Sequence, residues 1–336
     1  MRAVVTPEHG GLEQMVFQPD YRDPVAGPDE VVLSVRACTL NYHDVFTRKG
    51  MPGIRVPLPL VLGIDVAGEI VEVGPEVQGF AVGQRVLVDP IERVNGGLLG
   101  ESFDGGLAER VRVPAHMLVA LPDEVDFADA AALPVAYGTA YRMMVTRGRI
   151  QPGETVLVLG ASGGVGTCCV QLAKQAGATV IACASSDEKL ERLKELGADV
   201  GINYATTDWV AECRRRFGRA RVFGKDEGGI DVVVNFTGGD SWVPSMRSLK
   251  RGGRRLTCGA TAGYDPKTDI RFIWTFELKI LGSNSWTVQD LETLMQMIAE
   301  GRLTPAIDRV LPLEQGREAV KILEDRAVLG KVIVKP

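Results

Sequence analysis

Apolar residues fall into short runs separated by polar and glycine-rich segments, and the spacing of these runs changes along the chain. Up to about residue 122 the runs are short and β-rich, at residues 30–37, 67–73, 85–88 and 109–113, with Gly/Pro turns between them. This spacing predicts a small, mostly antiparallel barrel. From residue 127 onward, predicted strands alternate with predicted helices, which indicates a parallel sheet.

The clearest unit of the second part is a strand–turn–helix–strand pattern at residues 156–184. An apolar strand at 156–159 is followed by a turn rich in glycine, a helix from about 167 to 177 and a second strand at 179–184. Glycines leave room for a pyrophosphate beside the backbone, and the N–H groups of the helix N-terminus bind such an anion. The pattern therefore predicts a dinucleotide site at Gly163, Gly164 and Val165.

Further elements complete the expected sheet and a returning tail. Strands are predicted at 232–235, 255–258 and 279–281, helices at 290–300 and 314–324, and a last strand at 331–334. We find no internal repeat and no low-complexity segment in the sequence.

Composition narrows the functional classes. The net charge of −5 does not favour binding of nucleic acid, although five arginines cluster between residues 214 and 221. No apolar run reaches the ~18 residues of a membrane span, and the N-terminal segment lacks the apolar core of a signal peptide. None of the six cysteines forms a CxxC pair, so we expect reduced thiols in a cytoplasmic protein.

Four segments resemble the medium-chain dehydrogenase/reductase superfamily: GIDVAGEIVEVGPEVQGFAVGQRV at 63–86, ALPVAYGTA at 132–140, GASGGVG at 160–166 and GKVIVKP at 330–336. The resemblance implies an α/β fold with a GroES-like β-barrel catalytic domain at 1–128 and 283–336. It also implies a Rossmann cofactor domain, a doubly wound parallel sheet, at 129–282. The strand at 279–281 resembles the edge through which family members form homodimers or homotetramers.

The same resemblance points to a zinc-free branch. Zinc-dependent members hold a catalytic metal with Cys, His and acidic side chains. The matching positions here are Asn41, Ile64 and about Ala131, which are not zinc ligands, and residues 90–102 contain none of the cysteines of the structural-zinc loop. We therefore expect no bound metal.

Without zinc, the resemblance implies hydride transfer to a small-molecule acceptor that is already polarised, such as a quinone or an α,β-unsaturated carbonyl compound. Asn41, at a former zinc-ligand position, is expected to donate a hydrogen bond to the acceptor, and His43 is a candidate proton donor. Two alternatives stay open: an alcohol dehydrogenase-like enzyme that uses His43 in place of metal, and a non-enzymatic NADPH-binding redox sensor or RNA-binding protein.

The residues at the end of the second strand indicate which nicotinamide cofactor binds. NAD-binding sites place a carboxylate there, but the aligned residue is Ala184, followed by Ser185, Ser186 and Lys189, which can donate to a 2′-phosphate. With Tyr204, which resembles a phosphate-contacting tyrosine, they favour NADPH. A shift of register would instead make Asp187 the carboxylate of an NAD site, although it more readily opens the next helix.

The remaining expected contacts are less specific. The resemblance adds to the cofactor site Tyr42, Phe236, Gly259 and Ala260. An apolar substrate pocket is expected at Phe46, Tyr137 and Trp274, with Tyr264 and Phe272 as further candidates, although aromatic residues at such spacings are often plain core. The tyrosines that line the cleft of typical quinone reductases are replaced by Phe46 and Pro52.

Overall fold

The computed structural model describes residues 1–223 and 228–336 and divides into two compact units. Unit 1 comprises Met1–Ala136 and Thr287–Pro336, and unit 2 comprises Tyr137–Trp286. The domain boundaries expected from the sequence, at 128/129 and 282/283, lie eight and four residues before these divisions.

The strands, in chain order, are β1 (Ala3–Thr6), β2 (Val16–Gln18), β3 (Glu30–Thr39), β4 (Leu60–Val61), β5 (Asp65–Val73), β6 (Arg85–Val88), β7 (Arg110–Pro114), β8 (Leu118–Ala120), β9 (Thr155–Val158), β10 (Thr179–Ala184), β11 (Val200–Asn203), β12 (Ile230–Val234), β13 (Leu249–Thr257), β14 (Lys279–Gly282), β15 (Ile307–Pro312) and β16 (Lys331–Lys335).

The α-helices are α1 (Tyr42–Lys49), α2 (Phe127–Ala131), α3 (Thr139–Tyr141), α4 (Gly164–Gln175), α5 (Asp187–Glu195), α6 (Trp209–Phe217), α7 (Trp242–Ser248), α8 (Arg271–Thr275), α9 (Val288–Ala299) and α10 (Gly316–Glu324). Two π-helical segments, Leu133–Gly138 and Arg142–Arg147, flank α3. Among the described residues, no helix combines the length and the apolar character needed to span a membrane.

Unit 1 is built on a mainly antiparallel sheet. Its strand order is β15-β16-β3-β5-β6-β8, with β7 also paired to β3, and a separate small sheet has the order β2-β1-β4. The long strand β3 lies at the centre, because β5, β7 and β16 all pair with it in antiparallel register. Apolar side chains of these strands form one buried core with residues of α10.

Unit 2 contains a parallel six-stranded sheet of order β11-β10-β9-β12-β13-β14. Val156, Leu157 and Val158 of β9 are fully buried, as expected for a central strand covered on both faces. The chain progresses from β9 to one side through β10 and β11, and then crosses to β12 on the other side. This reversal makes the carboxyl end of β9 the position where doubly wound folds bind their ligands.

The fold class expected from the sequence is confirmed, and the differences are at element ends. Strands β6 and β10 have the predicted bounds, whereas α4 begins at Gly164, three residues before the predicted start. Of the glycines that suggested a turn, Gly164 and Gly166 belong to the first turn of α4, whereas Gly160 and the N-cap Gly163 precede the helix. The tail helix predicted at 314–324 is a short 3₁₀ segment, Leu313–Gln315, followed by α10.

Candidate functional site

The glycine-rich turn of unit 2 joins β9 to α4. Gly160 has a φ of +69°, a conformation that favours glycine, and Gly163 is the N-cap of α4. A Cβ added to Gly166 would lie 2.4 Å from the carbonyl oxygen of Gly160, so only glycine permits this close approach of helix to turn. A Cβ added to Gly163 would meet nothing nearer than 3.7 Å. The turn is tightly packed on its inner side and open on its outer side.

This turn has the features of a pyrophosphate cradle. The first N–H groups of α4 have no acceptor within the helix and carry the positive end of its dipole. Gly163, Gly164 and Val165, predicted from the sequence, stand at this helix start and are partly exposed. The predicted Phe236 lies beside the same turn, because a Cβ on Gly160 would be 3.3 Å from its ring. These residues fit a dinucleotide.

The end of β10 brings together the residues expected to distinguish the two nicotinamide cofactors. Ala184 is the last residue of the strand, and Ser186 caps α5 by accepting a hydrogen bond of 3.3 Å from the backbone N–H of Lys189. Ser185 is exposed at the same corner. The backbone N–H of Tyr204 donates to the Ala184 carbonyl at 3.1 Å, which places Tyr204 next to this strand end.

Asp187, the rival candidate for a ribose contact, is the first residue of α5 and not its cap. Its Oδ1 accepts a hydrogen bond of 2.9 Å from Nδ2 of Asn203, at the end of the neighbouring strand β11. One carboxylate oxygen of Asp187 therefore already has a partner within unit 2.

A cavity of about 510 Å³ opens at the carboxyl ends of β12, β13 and β14. The predicted cofactor residues Gly259 and Ala260 line it, together with Cys258 and Trp242. The carboxyl ends of parallel strands are the usual position for a ligand in this fold. Burial raises the pKa of the Cys258 thiol to about 12, so this thiol is a poor nucleophile.

The residues of the expected aromatic pocket differ in burial. Tyr137 is fully buried, with its hydroxyl 3.4 Å from that of Thr167, whereas Trp274 is 62% exposed on α8. Neither residue is part of the described lining of the 510 Å³ cavity. In unit 1, Phe46 packs edge-on against Tyr42, with ring centroids 5.1 Å apart.

Unit 1 contains a buried polar cluster of Asn41, Asp65 and Lys331. The Lys331 Nζ donates to Asn41 Oδ1 at 2.6 Å and lies 3.2 Å from Asp65 Oδ2. Asn41 Nδ2 donates to the same Asp65 oxygen at 2.8 Å. The side chains of Lys331 and Asp65 are 3% and 0% exposed. Each member contacts the other two, so the amide of Asn41 is fixed in one orientation.

Backbone and side-chain groups around the cluster add further hydrogen bonds to Asp65 and Lys331. The Thr39 hydroxyl lies 3.0 Å from Asp65 Oδ2, and the N–H of Val135 donates to Asp65 Oδ1 at 3.1 Å. The Lys331 ammonium also donates to the carbonyl of Leu40 at 3.1 Å. The buried ion pair is therefore extensively hydrogen-bonded, which buried charges require.

Sequence reasoning identified Asn41 but missed Asp65 and Lys331. The available signal for Asp65 was an acidic residue within an apolar strand, directly after Ile64. Lys331 is 266 positions further along the chain and has no sequence feature that links it to Asp65.

The Asp44 carboxylate stabilises the N-terminus of α1. Its carboxylate accepts hydrogen bonds from the backbone N–H of Asn41 at 2.7 Å and of Gly63 at 3.0 Å, which completes a capping box. Burial raises the pKa of Asp44 to about 6, although the two backbone hydrogen bonds act in the opposite direction.

His43, the candidate proton donor, pairs with Glu101. The ring Nε2 lies 2.5 Å from Glu101 Oε2, and the two side chains are 30% and 12% exposed. Burial lowers the pKa of His43, but the hydrogen bond and the charge of Glu101 outweigh it, and the pKa is raised above its usual value. An acidic partner for His43 was not predicted from the sequence.

Two further expectations concern charge and metal. Arg215 and Arg216 of the arginine cluster both pair with Glu212 on α6, as a solvated helix end would. Ile64 and Ala131, which match zinc-ligand positions, are fully buried apolar residues. Within residues 1–223 and 228–336, no group of three or more His, Cys, Asp or Glu side chains is arranged to hold a metal ion.

Comparison with known proteins assigns the family. Residues 27–123 match the alcohol dehydrogenase GroES-like domain, and residues 164–300 match the family described as zinc-binding dehydrogenase. An acryloyl-coenzyme A reductase of Sulfurisphaera tokodaii is 32% identical over 355 residues and covers 100% of both chains. The mouse quinone oxidoreductase-like protein 2 is 30% identical, with 92% of this chain and 85% of the relative covered.

Among solved structures, an NAD-dependent alcohol dehydrogenase superposes with a TM-score of 0.90 at 37% identity, and 100% of both chains is covered. The chain belongs to the medium-chain dehydrogenase/reductase superfamily, in its branch similar to quinone oxidoreductases and acryloyl-coenzyme A reductases.

Proposed function

We propose that the protein is an NADPH-dependent reductase of quinones or α,β-unsaturated carbonyl compounds that works without catalytic zinc. The observation that carries this proposal is the Asn41–Asp65–Lys331 cluster. At a position where zinc-dependent relatives have a metal ligand, this chain holds an amide bound to an ammonium. A resident positive charge disfavours a second cation at the same place.

The contacts of the cluster support a specific chemical role for Asn41. Its amide oxygen accepts from Lys331, and one of its two N–H bonds is directed at Asp65. The second N–H has no acceptor within the part of the chain that the structure describes. It can donate to the carbonyl oxygen of the acceptor, where negative charge develops when hydride adds to the β-carbon. The nearby ammonium polarises the amide and strengthens this donor. A fixed donor of this kind suits an acceptor that needs no Lewis acid.

The nicotinamide cofactor, when bound, supplies the hydride, and several residues support NADPH as the preferred form. Ser185, Ser186 and Lys189 stand at the end of β10, where a 2′-phosphate needs donors. Asp187, which would repel the phosphate, is engaged by Asn203. NADH is the alternative, since one similar structure is described as an NAD-dependent enzyme.

The test is a panel of quinones, enones, enoyl thioesters and aldehydes, with consumption of NADPH and NADH followed by absorbance. We expect turnover of an activated C=C or quinone acceptor with NADPH, and at least tenfold lower activity of an Asn41→Ala variant. Turnover of aldehydes or alcohols alone would favour an alcohol dehydrogenase-like activity. Cofactor binding without turnover of any acceptor would favour a non-enzymatic sensor.

Zinc independence is tested separately by elemental analysis of the purified protein. We expect no stoichiometric zinc before or after dialysis against a chelator, with unchanged activity. Zinc at about one ion per chain that survives chelation would contradict the proposal.

We also propose a homodimer or a homotetramer, with pairing through the exposed edge strand β14. Ile280 on this strand is 36% exposed, and an uncovered apolar edge promotes association. Sedimentation at micromolar concentration tests this, and a monomer would contradict it. The six cysteines are free thiols, which supports a reducing compartment, and we propose the cytoplasm.

A further inference from the structure

The pairing of His43 with Glu101 has no role in the proposed hydride transfer itself. Hydride addition to an enone produces an enolate, which must take up a proton before the product can leave. Histidine is the side chain best suited to supply that proton near neutral pH. A proton source also needs a group that holds the ring in one orientation and favours its charged form.

The fold places Glu101 opposite His43 independently of their pairing. Glu101 lies in a tight turn. Its backbone N–H donates to the carbonyl oxygen of Leu98 at 3.1 Å, and the N–H of Gly100 donates to the carbonyl oxygen of Phe103 at 2.9 Å. Gly100 packs directly on Gly63, since a Cβ on Gly100 would be 3.1 Å from the Gly63 backbone.

Gly63 in turn links this turn to the helix that carries His43. The N–H of Gly63 donates to Asp44 Oδ1 at 3.0 Å, and Asp44 is the residue after His43 on α1. The turn and the helix are therefore linked through Gly63, which packs against Gly100 and donates to the Asp44 carboxylate. This arrangement brings the backbone segments that carry His43 and Glu101 close to each other.

The protonation chemistry of the pair is defined by its contacts. A carboxylate only accepts hydrogen bonds, so Nε2 of His43 is the donor to Glu101. Nδ1 has no hydrogen-bond partner among the described residues, and the ring is 30% exposed. Within the described chain, the charges that act on His43 are Glu101 from the turn and Asp44 from its own helix, and both favour the imidazolium.

We propose that Glu101 is the positioning residue of the proton source: it binds Nε2–H of His43, so that Nδ1–H of the imidazolium protonates the enolate. This inference rests on the proposed reductase function. The nicotinamide cofactor, when bound, would supply the hydride and be oxidised by two electrons. The hydride bonds to the β-carbon with its electron pair, the C=C π pair becomes the Cα=C bond of the enolate, and the C=O π pair moves onto oxygen. The enolate then takes the Nδ1 proton. His43 becomes neutral with Nε2–H still bound to Glu101, and water returns the proton to Nδ1.

The pH dependence follows from the sign of the charge. The imidazolium is the active form, so activity is present below the pKa of His43 and is lost as the pH rises through it. Replacing Glu101 by Gln removes an opposite charge in direct contact with the ring, which is expected to lower that pKa by about one unit. The alkaline limb of the rate profile then moves to lower pH by the same amount.

The experiment compares the wild type, Glu101→Gln, Glu101→Asp and a His116→Gln control, using the pH profile of kcat/KM and NMR titration of the imidazole nitrogens. His116 is a matched control because it pairs with Glu92 at 2.8 Å and is similarly exposed. We expect Glu101→Gln to shift the limb and the His43 titration together by about one unit, and Glu101→Asp to recover at least half of the shift. His116→Gln should leave both unchanged.

Each outcome has a separate meaning. If the wild type is active and the alkaline limb of the Glu101→Gln rate profile lies at the same pH as that of the wild type, the inference fails and the reductase proposal stands. If the His43 titration does not move in Glu101→Gln, the two groups do not pair in solution and the inference fails without reference to activity. If His43 titrates as expected but the wild type reduces no acceptor, the reductase proposal fails.

Discussion

Replacing Lys331 by Met should destabilise unit 1 strongly, because the variant keeps a similar side-chain length but removes the ammonium. The change deletes the hydrogen bonds of Nζ to Leu40 and Asn41 and its contact with Asp65. Asp65 stays buried and keeps its contacts with Thr39 and Val135, but its negative charge has lost its positive partner.

The expected magnitude follows from this loss. Removing one member of a buried ion pair costs about 3–5 kcal/mol, because the remaining charge is left uncompensated. For a domain of ordinary size this corresponds to a fall in melting temperature of roughly 6–20 °C, at about 2–4 °C per kcal/mol. Urea unfolding followed by circular dichroism measures the free energy, and scanning calorimetry measures the melting temperature.

The matched control is Lys335→Met, the same substitution at the exposed end of the same strand β16. It should change the free energy of unfolding by no more than about 0.5 kcal/mol. Adding Asp65→Asn to Lys331→Met should recover part of the loss, because the second change removes the unpaired charge. A loss below about 1 kcal/mol in Lys331→Met, or simple additivity in the double variant, would refute the reasoning.

Three other perturbations test separate parts of the molecule. Lys189→Ala should weaken NADPH binding about tenfold or more and leave NADH binding unchanged in fluorescence titrations, because a charge-assisted hydrogen bond is worth about 1.5–3 kcal/mol. Equal losses of affinity for both cofactors would mean that Lys189 does not contact the 2′-phosphate. Gly166→Ala should cost about 1–3 kcal/mol in unfolding free energy through overpacking, unlike Gly282→Ala, where a Cβ meets no atom within 4 Å. Burial raises the pKa of Asp44 from 3.8 to about 6, so its contribution to stability is present below pH ~4 and is lost as the pH rises through 6. The stability of the wild type relative to Asp44→Asn should therefore fall between these pH values, and a constant difference would contradict the assignment.

Local sequence patterns predicted the framework well because each element carries its own signal. The apolar run of β10 and the glycines before α4 lie within a few residues of one another, so periodicity and turn chemistry identify them directly. The start of α4 was misplaced because glycine serves both in turns and in the first turn of a helix.

The candidate site was less accessible to such reasoning, because its partners come from distant parts of the chain. Asp65 and Lys331 meet only when β3 pairs with both β5 and β16. Glu101 approaches His43 because two glycines permit a close contact of backbone segments, which no periodicity records. Residue type alone also does not distinguish a core ring such as Tyr137 from an exposed ring such as Trp274.

Unit 1 is formed by two separate segments of the chain, and this has a consequence for its folding during translation. On the ribosome, Asp65 emerges long before Lys331, and the 266 positions between them take roughly 15–50 s to translate at 5–20 residues per second. All of unit 2 is made in that interval, whereas β3 still lacks its neighbour β16. The nascent barrel therefore carries an uncompensated acidic group and an open strand edge during this time. Holding chaperones that cover such an edge should associate with nascent chains that end before residue 331 and dissociate once β16 has docked.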